Sequence, residues 1–162
     1  MKYNQIISQL KDPATQNRWR VRMPNEDYPF QCNAESVEFG FRNTPARQRV
    51  AQGRNYNYAD ISTLDAVNIV FYETYDFSVT DYLNKWKLLI FNPYTGVFGP
   101  PAKYERQLVV EMLNEDEDSV IKTFEYLGAW PTDTSPITAS YEDPNGRIQI
   151  TQAFVVKELR QA

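Results

Sequence analysis

The stretch that decides the class of fold, residues 124–156, reads FEYLGAWPTDTSPITASYEDPNGRIQITQAFVV. It begins with a strand-like segment, passes Gly128 and the pair Trp130-Pro131, and continues as two strand-like segments separated by DPNG at residues 143–146. Asp, Pro, Asn and Gly favour the turns that join antiparallel strands. The stretch therefore predicts antiparallel β-structure, and it contains no recognisable pattern of reactive side chains.

Alternating apolar and polar residues predict further strands on the N-terminal side. RWRVRMP at residues 18–24 and YPFQCNAESVEFGF at 28–41 are expected to form a hairpin, and TLDAVNIVFYET at 63–74 is expected to form a strand. ERQLVVEMLN at 105–114 and SVIKTFEYLGAW at 119–130 flank an acidic turn, which predicts a second hairpin.

Two segments have the spacing of helices. NQIISQLKD at residues 4–12 predicts a short helix before Pro13, and residues 76–91 carry apolar residues at steps of three to four, including Trp86. Ser78 and Asp81 have the spacing of a capping box at the start of the second helix. The predicted fold is mainly β, an antiparallel sheet or barrel of about seven strands with one main helix in a single domain, 1–162.

The composition excludes several classes of function. The chain has 162 residues, no His and one Cys, Cys32. Without His, it lacks the commonest general base and metal ligand, and a single Cys cannot complete a Cys/His zinc site. Nucleotide-binding glycine motifs and the nucleophile-elbow motif are absent from the sequence. We therefore predict that the protein is not an enzyme and holds no cofactor or metal.

The charge is unevenly distributed along the chain. Residues 1–54 carry nine Lys and Arg against five Asp and Glu, whereas residues 55–162 carry eight against sixteen, for a net charge of −4. The acidic total disfavours ordinary nucleic-acid binding. The single Cys fits a reducing compartment, and no apolar run has the length of a signal peptide or a membrane span.

The segment at residues 42–60 lacks the regular pattern of its neighbours. RNTPARQRVAQGRNYNYAD contains four Arg, two Tyr, one Pro and one Gly, and it is predicted to be a long loop. One interpretation is a disordered surface excursion. The other is an arm that becomes ordered against a neighbouring subunit, because Arg and Tyr are favoured interface residues. The candidate interface residues are Arg47, Arg49, Arg54, Tyr56 and Tyr58.

Several landmarks together resemble the tail tube proteins of contractile-tailed bacteriophages, a family related to type VI secretion tube proteins. In order, they are Phe30-Gln31-Cys32-Asn33-Ala34, the element around Gly53-Arg54-Asn55-Tyr56, Trp86 on the helix, Gly128-Ala129-Trp130-Pro131-Thr132, and the segment from Asn145 to Val156. The resemblance covers nearly the whole chain. It departs from the family most at residues 42–60 and in the Pro-rich connection at 92–101.

The resemblance implies hexameric rings that join their sheets into one inner β-barrel and stack into a hollow tube inside a contractile sheath. The implied partners are other copies of the chain, the sheath protein, the baseplate and the tape measure protein. DNA would pass through the lumen without specific binding. The implied location is the virion tail, assembled in the bacterial host cytoplasm.

The resemblance also gives roles to particular residues. Gly128, Trp130 and Pro131 are expected to end a barrel strand, and Trp86 is expected to be a buried structural residue. If the polar strand face lines the channel, its carboxylates would repel DNA phosphates; ordinary solvent-facing carboxylates are the alternative. The candidate lumen-facing residues are Glu105, Glu111 and Glu125.

Other classes of function also fit the strand pattern. A baseplate protein that initiates the tube, or the tube subunit of a type VI or contractile injection system, would share the family features. A monomeric β-barrel that binds a ligand in its mouth is an alternative from a different class. A tube protein predicts rings or filaments, whereas the binding module predicts a stable monomer.

Overall fold

The computed structural model describes residues 18–23, 34–116, 119–142 and 146–162. The helix predicted at 4–12, most of the motif at 30–34, and Asn145 lie outside the described residues. The described elements, in chain order, are the strands β1 (Trp19–Arg22), β2 (Ala34–Glu38), β3 (Arg42–Asn43), β4 (Ala46–Ala51), β5 (Arg54–Ala59), β6 (Thr63–Leu64) and β7 (Val67–Tyr72), helix α1 (Ser78–Ile90), strands β8 (Phe91–Asn92) and β9 (Val97–Phe98), helix α2 (Pro101–Tyr104), and strands β10 (Arg106–Leu113), β11 (Val120–Thr134), β12 (Gln149–Val155) and β13 (Glu158–Gln161).

The main sheet has seven strands, and all of its pairs are antiparallel. Its order is β1-β10-β11-β12-β7-β2, and β13 also pairs with β11. Strand β7 shows why the sequence alternates: Val67, Ile69 and Phe71 are buried, and the residues between them are not. The predicted mainly β fold with one main helix is confirmed.

The long strand β11 joins the two halves of the sheet. Up to Ala129 it pairs with β10, whereas Trp130 and Pro131 pair with Val155 and Phe154 of β12. The prediction that the strand ends at Gly128 and Trp130-Pro131 is therefore wrong, because β11 continues to Thr134. At this point pairing with β10 ends on one edge of β11, and on the other edge the partner changes from β13 to β12 in the same register.

Gly128 lies where the partner of β11 changes from β13 to β12. Its φ is +66°, in the region that favours glycine, and a Cβ atom there would lie 2.9 Å from the Lys157 Cδ atom.

The Trp130 ring is half-buried, makes an edge contact with the Tyr104 ring at 6.1 Å and lies under the Lys157 ammonium group. Pro131, not Trp130, is the buried member of the pair. Trp130 therefore covers the margin of the core and does not fill its centre.

Helix α1 packs its apolar face on the sheet through Val79, Leu83 and Trp86. The Trp86 indole N–H donates to the Tyr104 carbonyl oxygen at 2.6 Å, and its ring contacts the Phe154 ring at 5.6 Å between centroids. The core formed in this way contains Val21, Met23, Val67, Ile69, Phe71, Val79, Leu83, Trp86, Leu108, Val110, Phe124, Tyr126, Ala129, Phe154 and Val156.

A carboxylate from the preceding loop caps the start of α1. The Glu73 oxygens accept hydrogen bonds from the backbone N–H groups of Val79 and Thr80, at 3.1 and 2.9 Å. Burial alone would raise the pKa of Glu73, but hydrogen bonds from Thr80, Thr74 and Val79 hold that pKa below its ordinary value. The capping box predicted from Ser78 and Asp81 is wrong, since no side chain at the N-cap position makes a capping hydrogen bond.

Candidate functional site

The segment at residues 42–60 is a regular β-hairpin with a short ladder at its base, so the loop prediction is wrong. Strands β4 and β5 pair from Ala46 opposite Ala59 to Ala51 opposite Arg54. The turn residues Gln52 and Gly53 have positive φ values of 51° and 73°, as a type I′ turn requires. All twelve residues of the two strands are exposed.

The register places every candidate interface residue on one face of this hairpin. Arg47 lies opposite Tyr58, Arg49 opposite Tyr56, and Ala51 opposite Arg54. Directly opposite residues share a face, and so do residues two apart on one strand. We call this surface the Arg/Tyr face. The other face carries Ala46, Gln48, Val50, Asn55, Asn57 and Ala59.

The Arg/Tyr face has the composition of a contact surface. Residues 42–59 contain four Arg and no Asp or Glu. Tyr56 and Tyr58 are 50% and 46% exposed, and Val50 on the other face is 70% exposed. An isolated two-stranded hairpin has little stability of its own in water. Exposed aromatic and apolar groups on such a hairpin favour binding to another surface.

The base of the hairpin is attached firmly to the domain. Below it, β3 pairs with β6, and the Asp60 N–H donates to the Pro45 carbonyl at 2.8 Å. Phe41 contacts the Phe124 ring at 5.7 Å between centroids. The Tyr126 hydroxyl donates to the Gly40 carbonyl at 2.9 Å, and burial raises the Tyr126 pKa to about 12. The base of the hairpin is therefore held by the domain, whereas its strands β4 and β5 are exposed along their whole length.

Glu111 is not available to line a channel, which corrects one lumen-facing prediction. Its side chain lies within an ion-pair cluster and the residue is only 3% exposed. The Arg20 guanidinium contacts one carboxylate oxygen, and Arg22 Nε donates to the other at 2.8 Å. Burial raises the Glu111 pKa, but the two guanidinium groups outweigh it, so the pKa lies below its ordinary value.

The other two predicted lumen residues lie in different environments. Glu105 directly follows α2 and forms an ion pair with Lys157. Glu125 lies on β11 opposite Arg160 of β13 and is half-buried. The sheet face that carries Glu111 and Glu125 also carries Arg20, Arg22 and Arg160. That face mixes both signs of charge, so it does not form the uniformly negative surface expected from the sequence.

Sequence reasoning named the five hairpin residues but missed their arrangement. The signal was present in the alternation of Arg47-Gln48-Arg49-Val50 and of Tyr56-Asn57-Tyr58 on either side of Gln52-Gly53. It also missed Lys157, whose side chain covers Gly128 and pairs with Glu105. No local pattern marks Lys157, because its partners are distant in sequence.

The described residues contain no group of three or more His, Cys, Asp or Glu side chains placed to hold a metal ion. Within the same residues, no helix has both the length and the apolar character needed to cross a membrane. The only helix of more than one turn in this part of the chain is α1, with 13 residues.

The fold is similar to chains in cryo-EM structures of contractile injection machines. A chain of the anti-feeding prophage cap, described as a tube-terminating cap, matches with a TM-score of 0.73 and 12% identity, covering 94% of this chain and 93% of that one. A chain of the sheath/tube terminator of the extracellular contractile injection system PVC matches with a TM-score of 0.70 and 10% identity over 94% and 99%. A chain of the PVC sheath–tube complex matches with a TM-score of 0.67 and 13% identity over 100% and 98%.

At these identities the similarity concerns the fold, and it extends over nearly the full length of both chains. No family model matches the sequence, and no curated protein matches it. The fold is one that occurs in chains of the tube-terminating cap, the sheath/tube terminator and the sheath–tube complex of contractile injection systems. The resemblance to tail tube proteins is confirmed at this level.

Proposed function

We propose that this protein is a structural subunit that assembles into rings, and that the rings stack into the hollow tube of a contractile machine. The observation that carries the proposal is the exposed hairpin, which projects an Arg/Tyr face from a fold shared with tube and terminator chains. A binding surface of this kind, on a chain without a nominated catalytic group, favours assembly over turnover.

The sheet supports ring formation because its outer strands are available for pairing. Among the described strands, β1 pairs only with β10 and β2 pairs only with β7. Unpaired strand edges tend to associate, and closed rings remove them. A head-to-tail ring in which one copy's edge meets the next copy's edge would complete a continuous inner barrel. The resemblance to tail tube proteins implies six copies in each ring.

We further propose that the tube belongs to a bacteriophage tail. In that assembly it is surrounded by a sheath, begins on a baseplate, contains a tape measure protein before ejection, and conducts DNA into the host without binding it specifically. The particle would form in the host cytoplasm and the protein would reside in the virion. Mass spectrometry of purified particles tests this step: genome-filled particles containing the chain support it, and genome-free injection particles support the injection-system alternative.

A terminating cap is a second candidate function. The TM-scores with the cap and terminator chains, 0.73 and 0.70, slightly exceed that with the sheath–tube chain, 0.67. A repeating subunit polymerises along the ring axis without limit, whereas a cap adds one ring and stops. Negative-stain microscopy of the purified chain separates these functions: long hollow tubes support the repeating subunit, single rings support the cap, and a stable monomer contradicts both.

A further inference from the structure

The surface that would receive the hairpin lies at the other end of strand β7. The hairpin base ends in β6, only two residues before β7 begins at Val67. Strand β7 ends at Tyr72, which lies about 17 Å from Val67 if each residue of the strand advances by its usual rise. A cleft of about 650 Å³ opens there, lined by Tyr72, Glu73, Thr74, Tyr75, Phe77, Gly146, Arg147 and Ile148. We call it the β7–α1 cleft.

The β7–α1 cleft presents uncovered aromatic groups. The Tyr75 side chain is fully exposed and the Phe77 side chain is 43% exposed. Phe77 has φ 54° and ψ 35°, a left-handed conformation that is uncommon for an aromatic residue. Tyr72 forms one wall, with the Arg147 guanidinium 5.9 Å from its ring centroid. Exposed aromatic groups around a concavity are typical of a protein-binding surface.

Three carboxylates lie in or near the cleft, and Glu73 is the one carboxylate among the described residues that line it. Asp76 lies between the two exposed aromatic residues, and one of its carboxylate oxygens accepts a hydrogen bond from the Thr74 hydroxyl. Glu35 lies beside this end of β7, where its carboxylate accepts a hydrogen bond from Gln149 at 2.7 Å. Glu73 adds a third negative charge, although its oxygens are occupied in capping α1. Among the described residues that line the cleft, Arg147 is the one basic residue. The Arg/Tyr face brings three guanidinium groups and no carboxylate.

We propose that the β7–α1 cleft receives the Arg/Tyr face of the hairpin from a second copy of this chain in the adjacent ring. Tyr56 and Tyr58 pack against Tyr75 and Phe77, and the arginines approach Asp76 and Glu35. This inference rests on the proposed function. Strands of six residues extend the Arg/Tyr face by about 20 Å from the base of the hairpin.

The positions of the two surfaces explain why such a contact repeats. A contact between two different surfaces of a subunit is heterologous, and it leaves a free hairpin and a free cleft after every addition. A contact between one hairpin and one cleft buries a small area compared with a stable protein–protein interface. Several such contacts between two rings act together, so stacking is strong only after ring closure.

Photocrosslinking of the full chain tests the inference. We would introduce p-benzoyl-phenylalanine in place of Tyr75, assemble a mixture of isotopically light and heavy protein, irradiate it, and identify crosslinked peptides by mass spectrometry. Tyr94 is the matched control, because it is 89% exposed and lies beyond the opposite end of α1. Light–heavy crosslinks from position 75 to residues 46–59 are expected, and position 94 should give at least tenfold fewer of them.

The outcomes separate this inference from the proposed function. Tubes that crosslink from position 75 to residues 46–59 support both. Tubes whose position 75 crosslinks to another segment, or to none, overturn the cleft assignment and leave the tube function standing. A failure of the unmodified chain to form rings or tubes overturns the proposed function and this inference with it. As a second readout, Tyr75→Ser should shorten tubes at least tenfold, whereas Tyr94→Ser should not.

Discussion

Neutralising the arginines of the Arg/Tyr face should abolish stacking without unfolding the subunit. The perturbation is the triple variant Arg47→Gln/Arg49→Gln/Arg54→Gln, which removes three positive charges. All three positions are exposed, and a surface substitution usually changes stability by less than about 0.5 kcal/mol. The summed change is at most about 1.5 kcal/mol, or a shift in Tm of roughly 3–6 °C for a chain of this length.

The effect on assembly should be much larger. If each arginine contributes about 1 kcal/mol to a charged contact, each hairpin loses about 3 kcal/mol, and six hairpins lose about 18 kcal/mol at each ring junction. The assay is pelleting of assembled protein with negative-stain microscopy of the supernatant. We expect rings without tubes.

The opposite face of the hairpin supplies a matched control. The variant Gln48→Glu/Asn55→Asp/Asn57→Asp changes the net charge by the same three units on the same two strands. It should assemble, although somewhat more slowly. Long tubes from the arginine variant would refute the assignment of the Arg/Tyr face, and equal loss of tubes in both variants would show that total charge, not this face, controls stacking.

Three further predictions concern the stability of the free subunit. Trp86→Ala removes a buried side chain and should lower the free energy of unfolding by roughly 3–5 kcal/mol, whereas Trp130→Ala, at a half-buried site, should cost clearly less; urea denaturation of both variants measures the difference, and a larger loss at position 130 would contradict the packing described. Glu73 has a lowered pKa in the folded state, so its contribution to stability is present above its ordinary pKa of 4.5 and is lost as pH falls through the folded-state value. Glu73→Gln should therefore lower Tm at pH 7 more than at pH 3, and an equal loss at both pH values would show that the carboxylate charge is unimportant. Gly128→Ala should cost about 1 kcal/mol or more, because Ala is disfavoured at positive φ and its Cβ would meet the Lys157 side chain; an unchanged urea midpoint would contradict this.

Most strands of the main sheet and the main helix could be predicted from the sequence because local periodicity encodes them. The predicted hairpin of residues 18–24 and 28–41 is wrong, since β1 and β2 lie at opposite ends of the sheet order, and residues 136–142 form no strand. In β7, Val67, Ile69 and Phe71 alternate with more exposed residues, and in α1 the buried residues recur at helical spacing. The hairpin at residues 46–59 was missed for a related reason. Both of its faces are exposed, so its strands lack the apolar alternation that normally indicates a sheet.

The environment of a charged residue depends on contacts that local sequence does not contain. Glu111 has the strand position of a solvent-facing carboxylate, yet Arg20 and Arg22, some 90 residues earlier in the chain, enclose it. Similarly, Gly128 and Trp130-Pro131 suggested a strand terminator, because Gly and Pro usually interrupt strands. The partners of β11 decide the outcome. Strand β10 pairs with one edge only as far as Ala129, whereas β13 and then β12 pair with the other edge and carry the strand on to Thr134.

Cryo-electron microscopy of the purified chain, combined with native mass spectrometry, tests whether the chain closes into rings. The proposed tube function predicts closed rings of six copies of the 18.9 kDa chain, about 113 kDa, with a central lumen and with strands of neighbouring subunits paired across each junction. It also predicts that such rings stack with the hairpin of each copy in contact with the next ring. A protein that remains a monomer at every concentration, with unpaired sheet edges and a free hairpin, would contradict it.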